Sequence, residues 1–371
     1  MKENIIQFIK SKDYNLIKQI GQGGTGKTVL LHDQTIDEEF VCKKYSTFYP
    51  EDQDIYYKRF IEEIKILYKL NHKNIVRVFN YYLYPEKVTG YIIMEYIEGS
   101  NIEEFIEANP TNISDIFTQV IEAFKHLEKN GILHRDIRPQ NILVSVNGEV
   151  KIIDFGFGKK THLEDENEKS VTLNWYFDTP LEFSDNIYDF KSEVYFIGKL
   201  FEQLTKQHNI TSFDYESLID MMVEKDPTNR ISSFFQVYRE TISEEKAGVN
   251  FSWDEKMKYR SFASSLEKVI SAIEKDTSYK EGTEQIIEEL EELVKNSILE
   301  LRIQNTRLLA RPFLNGAFKY KGKADIPVDT IKDFLKVFKK MPMNKREIVL
   351  NHIWNRLDKI DIYDSFSDLP F

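Results

Sequence analysis

A chain of 371 residues with 41% apolar and 30% charged side chains, and no apolar run approaching a bilayer span, reads as an ordinary soluble protein. It is long enough for two domains, or for one two-lobed domain with an extension. The net charge of −11 argues against a general nucleic-acid or anionic-membrane binder, and one cysteine, Cys42, excludes an intrachain disulfide and a thiolate metal cage.

The N-terminus, MKENIIQFIKSKDY, has no signal-peptide apolar core, so the cytoplasm is the expected location. Residues 14–20 alternate apolar and polar, which predicts a half-buried strand, and a glycine-rich turn, GQGGTG, follows at 21–26. Residues 27–31 and 39–45 read as two further strands split by a polar turn. Residues 54–70 carry Ile55, Phe60, Ile64, Leu67 and Leu70 near helical spacing, and 75–84 and 90–97 are strand-like again. Strands with one helix among them predict a small antiparallel lobe. After Gly99 the pattern turns helical: 112–130, with Ile116, Val120, Phe124 and Leu127 on one face, then 190–206 and 214–224.

The composition changes again near residue 245. Residues 242–371 carry as many basic as acidic side chains, so the whole excess charge lies before them. Ser252 and Glu255 suit a capping box for a helix carrying Phe262, Leu266, Ile270 and Ile273. A long acidic helix is expected over about 283–311, stopped by Pro312 and Gly316, and two more over 328–341 and 344–360. Its stripe of Ile287, Leu290, Val294 and Leu301 reads as bundle core, with a homodimer seam as the alternative. The acidic stretch 281–300 and the basic stretch 319–346 suggest helices that pair by charge; a nucleic-acid patch is the less favoured reading.

Two motifs carry the chemistry. HRDIRPQN at 134–141 and DFG at 154–156 space Asp136, Asn141 and Asp154 as a phosphoryl-transfer site requires: one carboxylate for the incoming hydroxyl, an amide and a carboxylate for Mg²⁺. GQGGTGKT at 21–28 fits both G-x-G-x-x-G and the Walker pattern G-x-x-x-x-G-K-T. An alternating strand before it and a hairpin-like stretch after it favour the first over a strand–loop–helix. Strand alternation puts Val41 and Lys43 on one face and Cys42 and Lys44 on the other.

With these motifs in order over about residues 12–241, the chain resembles the protein kinase family, in its eukaryotic-like Ser/Thr form of bacterial type. The fold class implied is α+β: a bilobal kinase-like fold with an antiparallel β-rich N-lobe and an α-helical C-lobe, followed by an all-α C-terminal domain. The expected boundaries are an N-terminal extension at 1–11, an N-lobe at 12–97, a C-lobe at 98–243 and a helical domain at 250–371. The resemblance implies ATP as phosphoryl donor, Mg²⁺ with Mn²⁺ as a substitute, and a protein substrate phosphorylated on Ser/Thr.

By the same resemblance Gly21, Gly23, Gly24 and Gly26 cover the phosphates, and Lys43 in FVCK meets them, fixed by Glu63 in preference to Glu62. Thr28 and Val41 cover one face of the adenine and Leu143 the other. Met94 limits the depth of the slot, and Glu95 and Ile97 offer backbone groups to the base. Asp136 is the base-like residue, with Asn141 and Asp154 as metal ligands. Arg138 replaces the usual lysine beside the transferred phosphate and is not equivalent to it; Pro139 agrees with Ser/Thr specificity. Gln140 and Asn101, often acidic where upstream arginine is read, are neutral here.

Arg135 is the residue that in the family pairs with an activation-loop phosphate, for which Thr161, Ser170, Thr172 and Tyr176 are candidates. The EDENE run at 164–168 reads as a solvated turn, or as a stand-in for that phosphate. TPLEF at 179–183 leaves Leu181 or Glu182 to pair with Arg230 of DPTNRIS, Glu182 being favoured, and Glu193 in KSEVYFIG stands where aspartate is usual. A pseudokinase scaffold and a small-molecule kinase are the competing readings.

Overall fold

The computed structural model of the chain describes residues 13–23, 26–45, 53–155, 159–160, 178–185, 187–242 and 251–364. Gly24, Gly156, the four activation-loop hydroxyls, the EDENE run, the extension 1–11 and the tail SFSDLPF lie outside them. The chain divides into two compact units, residues 1–241 and 242–371.

In the first unit the alternating stretches pair into one antiparallel sheet. β1 (Asn15–Gly23), β2 (Gly26–Asp33), β3 (Glu38–Tyr45), β4 (Val78–Tyr84) and β5 (Thr89–Glu95) lie in the order β1-β2-β3-β5-β4. The glycine-rich stretch is the β1–β2 hairpin itself, with Gly23 opposite Gly26, and no helix follows it. A Cβ at Gly26 would sit 2.3 Å from the Lys44 carbonyl oxygen, so glycine is what lets β2 start this close to β3. On one face of the sheet α1 (Gln53–Leu67) packs Tyr57, Phe60 and Ile64 against Tyr45 and Ile92. The other face carries Phe40, Cys42 and Ile93.

The helical half begins with β6 (Gly99–Asn101), α2 (Ile102–Ala108) and α3 (Ile113–Lys129), whose Ile116, Val120, Phe124 and Leu127 are all buried. Then come β7 (Ile132–Leu133), β8 (Ile142–Ser145) and β9 (Val150–Ile152). Strands β6, β8 and β9 form one small sheet, and β10 (Lys159–Lys160) pairs with β7. The base of this half is α4 (Phe190–Gln207), α5 (Glu216–Met222) and α6 (Phe234–Thr241). A capping box of Asp189 and Ser192 starts α4, and its Phe196, Leu200 and Phe201 are core.

The second unit is helical, as expected, with short strands that periodicity did not show. α7 (Trp253–Val269) starts at the Ser252–Glu255 capping box but stops before Ile270, and β11 (Ile270–Glu274) takes over. The spacing of Ile270 and Ile273 fits either period, so it does not separate helix from strand. Val269 followed at once by Ile270, two β-branched residues, favours the strand. β12 (Ser278–Tyr279) leads to α8 (Thr283–Asn296), which ends well short of 311: Asn296 and Ser297 close it, both weak in helix interiors. Ile287 and Leu290 are core, but Leu301 is 88% exposed and no part of the expected stripe.

The unit continues with α9 (Arg307–Ala310), β13 (Leu314–Asn315), β14 (Phe318–Tyr320), α10 (Val328–Phe338), α11 (Met343–Leu357) and β15 (Ile362–Tyr363). Strand β11 pairs with both β14 and β15. The opposite charges do meet: Lys339 with Glu291, and Arg346 with Glu284.

Candidate active site

Register across the large sheet builds one wall of the site. Gly21 pairs with Thr28, Thr28 with Lys43 and Lys43 with Ile92. Two residues along, Leu30 pairs with Val41 and Val41 with Met94. Directly opposed residues share a face, so both rows look toward α1. Lys44 points the other way, exposed, with its ammonium 5.7 Å from the Tyr91 ring centre.

Lys43 Nζ donates to both Glu63 oxygens, at 2.8 and 3.1 Å, and to Asp154 Oδ1 at 2.9 Å. Glu63 faces the strand from α1 and is buried, whereas Glu62 is exposed and pairs with Lys65 instead. Burial would pull the Lys43 ammonium down, but the carboxylates of Asp154 and Glu63 outweigh it and hold its pKa above the ordinary lysine value. Asp154 comes from the helical half, so this one cation joins the two halves of the unit.

The 134–141 loop supplies the opposite wall. Asn141 Nδ2 donates to the Asp136 carbonyl at 2.8 Å and to its Oδ2 at 2.7 Å, and Arg138 lies 3.3 Å from that same Oδ2. His134 is buried. Its Nδ1 accepts from the Asp136 N–H, so Nε2 donates to the Ile153 carbonyl, tying this loop to the strand that ends at Asp154. The ring also packs against Phe155, centres 4.8 Å apart. Both His134 and Phe155 are thus packing residues. Arg135 and Asp154 have φ of 65° and 61°, left-handed values that cost a non-glycine residue energy. The two strained positions lie on the two converging loops.

Beneath the loop, the wholly buried Glu193 of α4 accepts from the Arg135 N–H at 2.8 Å and from the Tyr188 hydroxyl at 3.1 Å. Burial pushes its carboxyl up to about 7, against the pull of those donors. The Arg135 guanidinium lies 5.3 Å from the Tyr188 ring centre.

Glu182, not the exposed Leu181, meets Arg230, at 2.6 and 3.1 Å. Arg230 also donates to the carbonyls of Lys191, Glu224 and Lys225. Burial works against the charge on Glu182, but the Arg230 guanidinium holds the carboxyl below its usual range.

The base-binding candidates line up less tightly. Thr28, Val41, Met94, Ile97 and Leu143 are all half-buried. Leu143 sits on β8 opposite Asn101 of β6 and Lys151 of β9. Asn101 is occupied: its side-chain oxygen caps α2, accepting from the N–H groups of Glu103 and Glu104. Gln140 is exposed. Two contributors escaped the sequence reading, Tyr188 and Lys151. The alternation of Val150, Lys151 and Ile152 marks the lysine as turned from the core, but nothing in it names the partner, Glu95.

A family model described as the protein kinase domain matches residues 14–214, more than half of the chain. The chain is similar to the serine/threonine-protein kinase PrkC of Bacillus subtilis, 32% identical over 219 residues, covering 57% of this chain and 33% of that one. It is similar to the probable serine/threonine-protein kinase PknB of Lactococcus lactis, 31% identical over 214 residues, 56% of this chain and 33% of that one. A mouse protein, cyclin-dependent kinase-like 4, is 28% identical over 196 residues, 52% of this chain and 56% of its own length. The chain therefore spans about a third of the length of the two bacterial relatives.

Proposed function

The chain belongs to the protein kinase family, and from that membership we propose that it transfers the γ-phosphoryl group of ATP to Ser/Thr hydroxyls of proteins, its own included. The observation that carries this reading is the convergence of Lys43, Glu63 and Asp154 opposite the Asp136–Asn141 pair.

The donor set suits Mg²⁺. Asn141 spends its amide N–H groups on Asp136, which leaves its oxygen, with the Asp154 carboxylate, as hard ligands for a small dication. Asn141 and Asp154 would hold the ion beside the nucleotide phosphates, water or nucleotide oxygens supplying its other ligands. When bound, the ion neutralises charge on the phosphates.

The remaining roles fall to the chain. Lys43, charged and fixed by Glu63, holds phosphate oxygens in a sheltered place. The β1–β2 glycine hairpin brings backbone N–H groups close over them. Asp136 accepts a hydrogen bond from the incoming hydroxyl and orients it, while Arg138 steadies the transferred group. Thr28, Val41 and Leu143 enclose the adenine, Met94 limits its depth, and Glu95 and Ile97 read its edge.

The single free cysteine, buried, supports a cytoplasmic site of action; no helix among the described residues is long and apolar enough to cross a membrane. Residues 242–371 are assigned to regulation or targeting, supported by their separate compactness. A homodimer through this unit belongs to the same reading: Ile298, Leu299 and Leu301 stand exposed after α8, and sedimentation tests it.

The deciding experiment incubates the full chain with γ-labelled ATP and Mg²⁺, beside Asp136→Ala. Label on serine or threonine from the unaltered chain alone supports the proposal. Equal labelling, no labelling of either, or phosphotyrosine alone counts against it.

A further inference from the structure

We propose that Lys151 is a positioning residue for nucleotide recognition: its ammonium group grips the Glu95 carboxylate and so fixes the backbone edge that meets the base. The inference rests on the reading of Glu95 and Ile97 as the residues that face adenine.

Lys151 sits between Val150 and Ile152, both fully buried on β9. A lysine turned outward from a small sheet ordinarily extends into water. This one is only 16% exposed, and its Nζ donates to both Glu95 oxygens, at 3.0 and 2.9 Å. Glu95 is the last residue of β5, where the chain leaves the five-stranded sheet for the helical half. The Glu95 N–H donates to the Arg77 carbonyl at 3.0 Å, and its Oε1 accepts from the Arg77 N–H at 2.7 Å. Glu95 is thereby held from both halves at once: by backbone in the sheet half, through Arg77, and by a cation in the helical half, through Lys151.

The placement of the lysine ties this clamp to the base. Its direct cross-strand partner is Leu143, so the two side chains share one face of the β6-β8-β9 sheet. Leu143 is the floor of the adenine slot in the proposed function. One pair of strands thus carries both that floor and the cation holding the reading edge. The separation of floor from edge is set by the ion pair. Lys43, Asp136, Asn141 and Asp154 are not among its contacts, so its loss loosens base binding and leaves the chemical step intact.

The test measures initial rates of label transfer from γ-labelled ATP to dephosphorylated casein by the full chain, unaltered and as Lys151→Met and Lys151→Arg. The expected result is a KM for ATP raised about tenfold in Lys151→Met with kcat within about twofold, and recovery of most of that loss in Lys151→Arg. A merely structural pair would lower the melting temperature without this split. An unchanged KM, or a kcat that falls while KM stays, overturns the inference. Should Lys151→Met not fold, Glu95→Gln decides, with KM expected to rise at least about threefold and no rise counting as refutation. If the unaltered chain transfers no label, the kinase reading is what fails. Calorimetric ADP binding by the unaltered chain and Lys151→Met then judges the clamp alone: weaker binding in the variant sustains it, equal binding ends it.

Discussion

Lys43 Nζ lies 2.8 Å from Glu63 and 2.9 Å from Asp154, so a single ammonium group links a strand, a helix and the far wall of the cleft. Glu63 is 3% exposed, which makes the lysine a structural counter-ion as well as the proposed phosphate contact. Lys43→Met is expected to cut phosphoryl transfer by at least about 100-fold. It should also destabilise the first unit by ~3 kcal/mol in urea titration, because Glu63 is left buried and unpaired. Adding Glu63→Leu should restore stability without restoring transfer. A Lys43→Met chain with ordinary transfer rates would refute the assignment.

Asp136 is expected to matter for chemistry far more than for binding. Asp136→Asn should lower kcat about 10²- to 10⁴-fold with little change in KM for ATP. Parallel changes in both constants would point to a distorted loop, given that Asn141 donates to the Asp136 side chain.

Metal removal gives a separate check on Asn141 and Asp154. EDTA should abolish label transfer, and added Mg²⁺ or Mn²⁺ should restore it. Asp154→Asn should leave transfer near background at any Mg²⁺ concentration tried. Full activity in EDTA would exclude the proposed ligand pair.

Glu193 predicts a pH dependence of stability. Its carboxyl is pushed up to about 7 from a usual value of 4.5, so the folded state favours the protonated form. That contribution is full below about pH 4.5 and is lost as pH rises through about 7. It amounts to ~3 kcal/mol. Urea midpoints measured from pH 5 to 8 should therefore fall with pH. In Glu193→Gln that component of the slope should vanish; an unaltered slope would assign it to other groups.

The Glu182–Arg230 pair is buried on both sides. Glu182→Ala is expected to cost ~3–5 kcal/mol, since it strands the Arg230 charge. A Glu182→Leu, Arg230→Met double variant should be more stable than either single change, as differential scanning calorimetry would show.

Much of the first unit was legible because its signals are local. The facing of Lys43 follows from strand alternation, whereas Glu63 was implied by the family resemblance, helix phase adding only that Glu62 points elsewhere. The hairpin around the glycines follows from the strands on either side. Helix ends in the second unit were not legible. Spacing of three and four runs on through Ile270 and Leu301 and masks the weaker local signals, the β-branched Val269–Ile270 pair and Asn296–Ser297, at which the helices give way. Asn101 stands out in the sequence only as a neutral residue where the family is often acidic; in the fold its oxygen is spent as a helix cap. Lys151 and Glu95 lie 56 positions apart, and no period connects them.

Cys42 sits beside Lys43 in sequence but on the opposite face of β3, buried against Phe40 and Ile93, its thiol pushed up to about 11 by burial. Alkylating reagents thus meet a silent sulfur while the sheet is closed. The chain's only thiol becomes an intrinsic reporter: the rate at which iodoacetamide captures it in native buffer reads out how often this wall of the cleft comes apart.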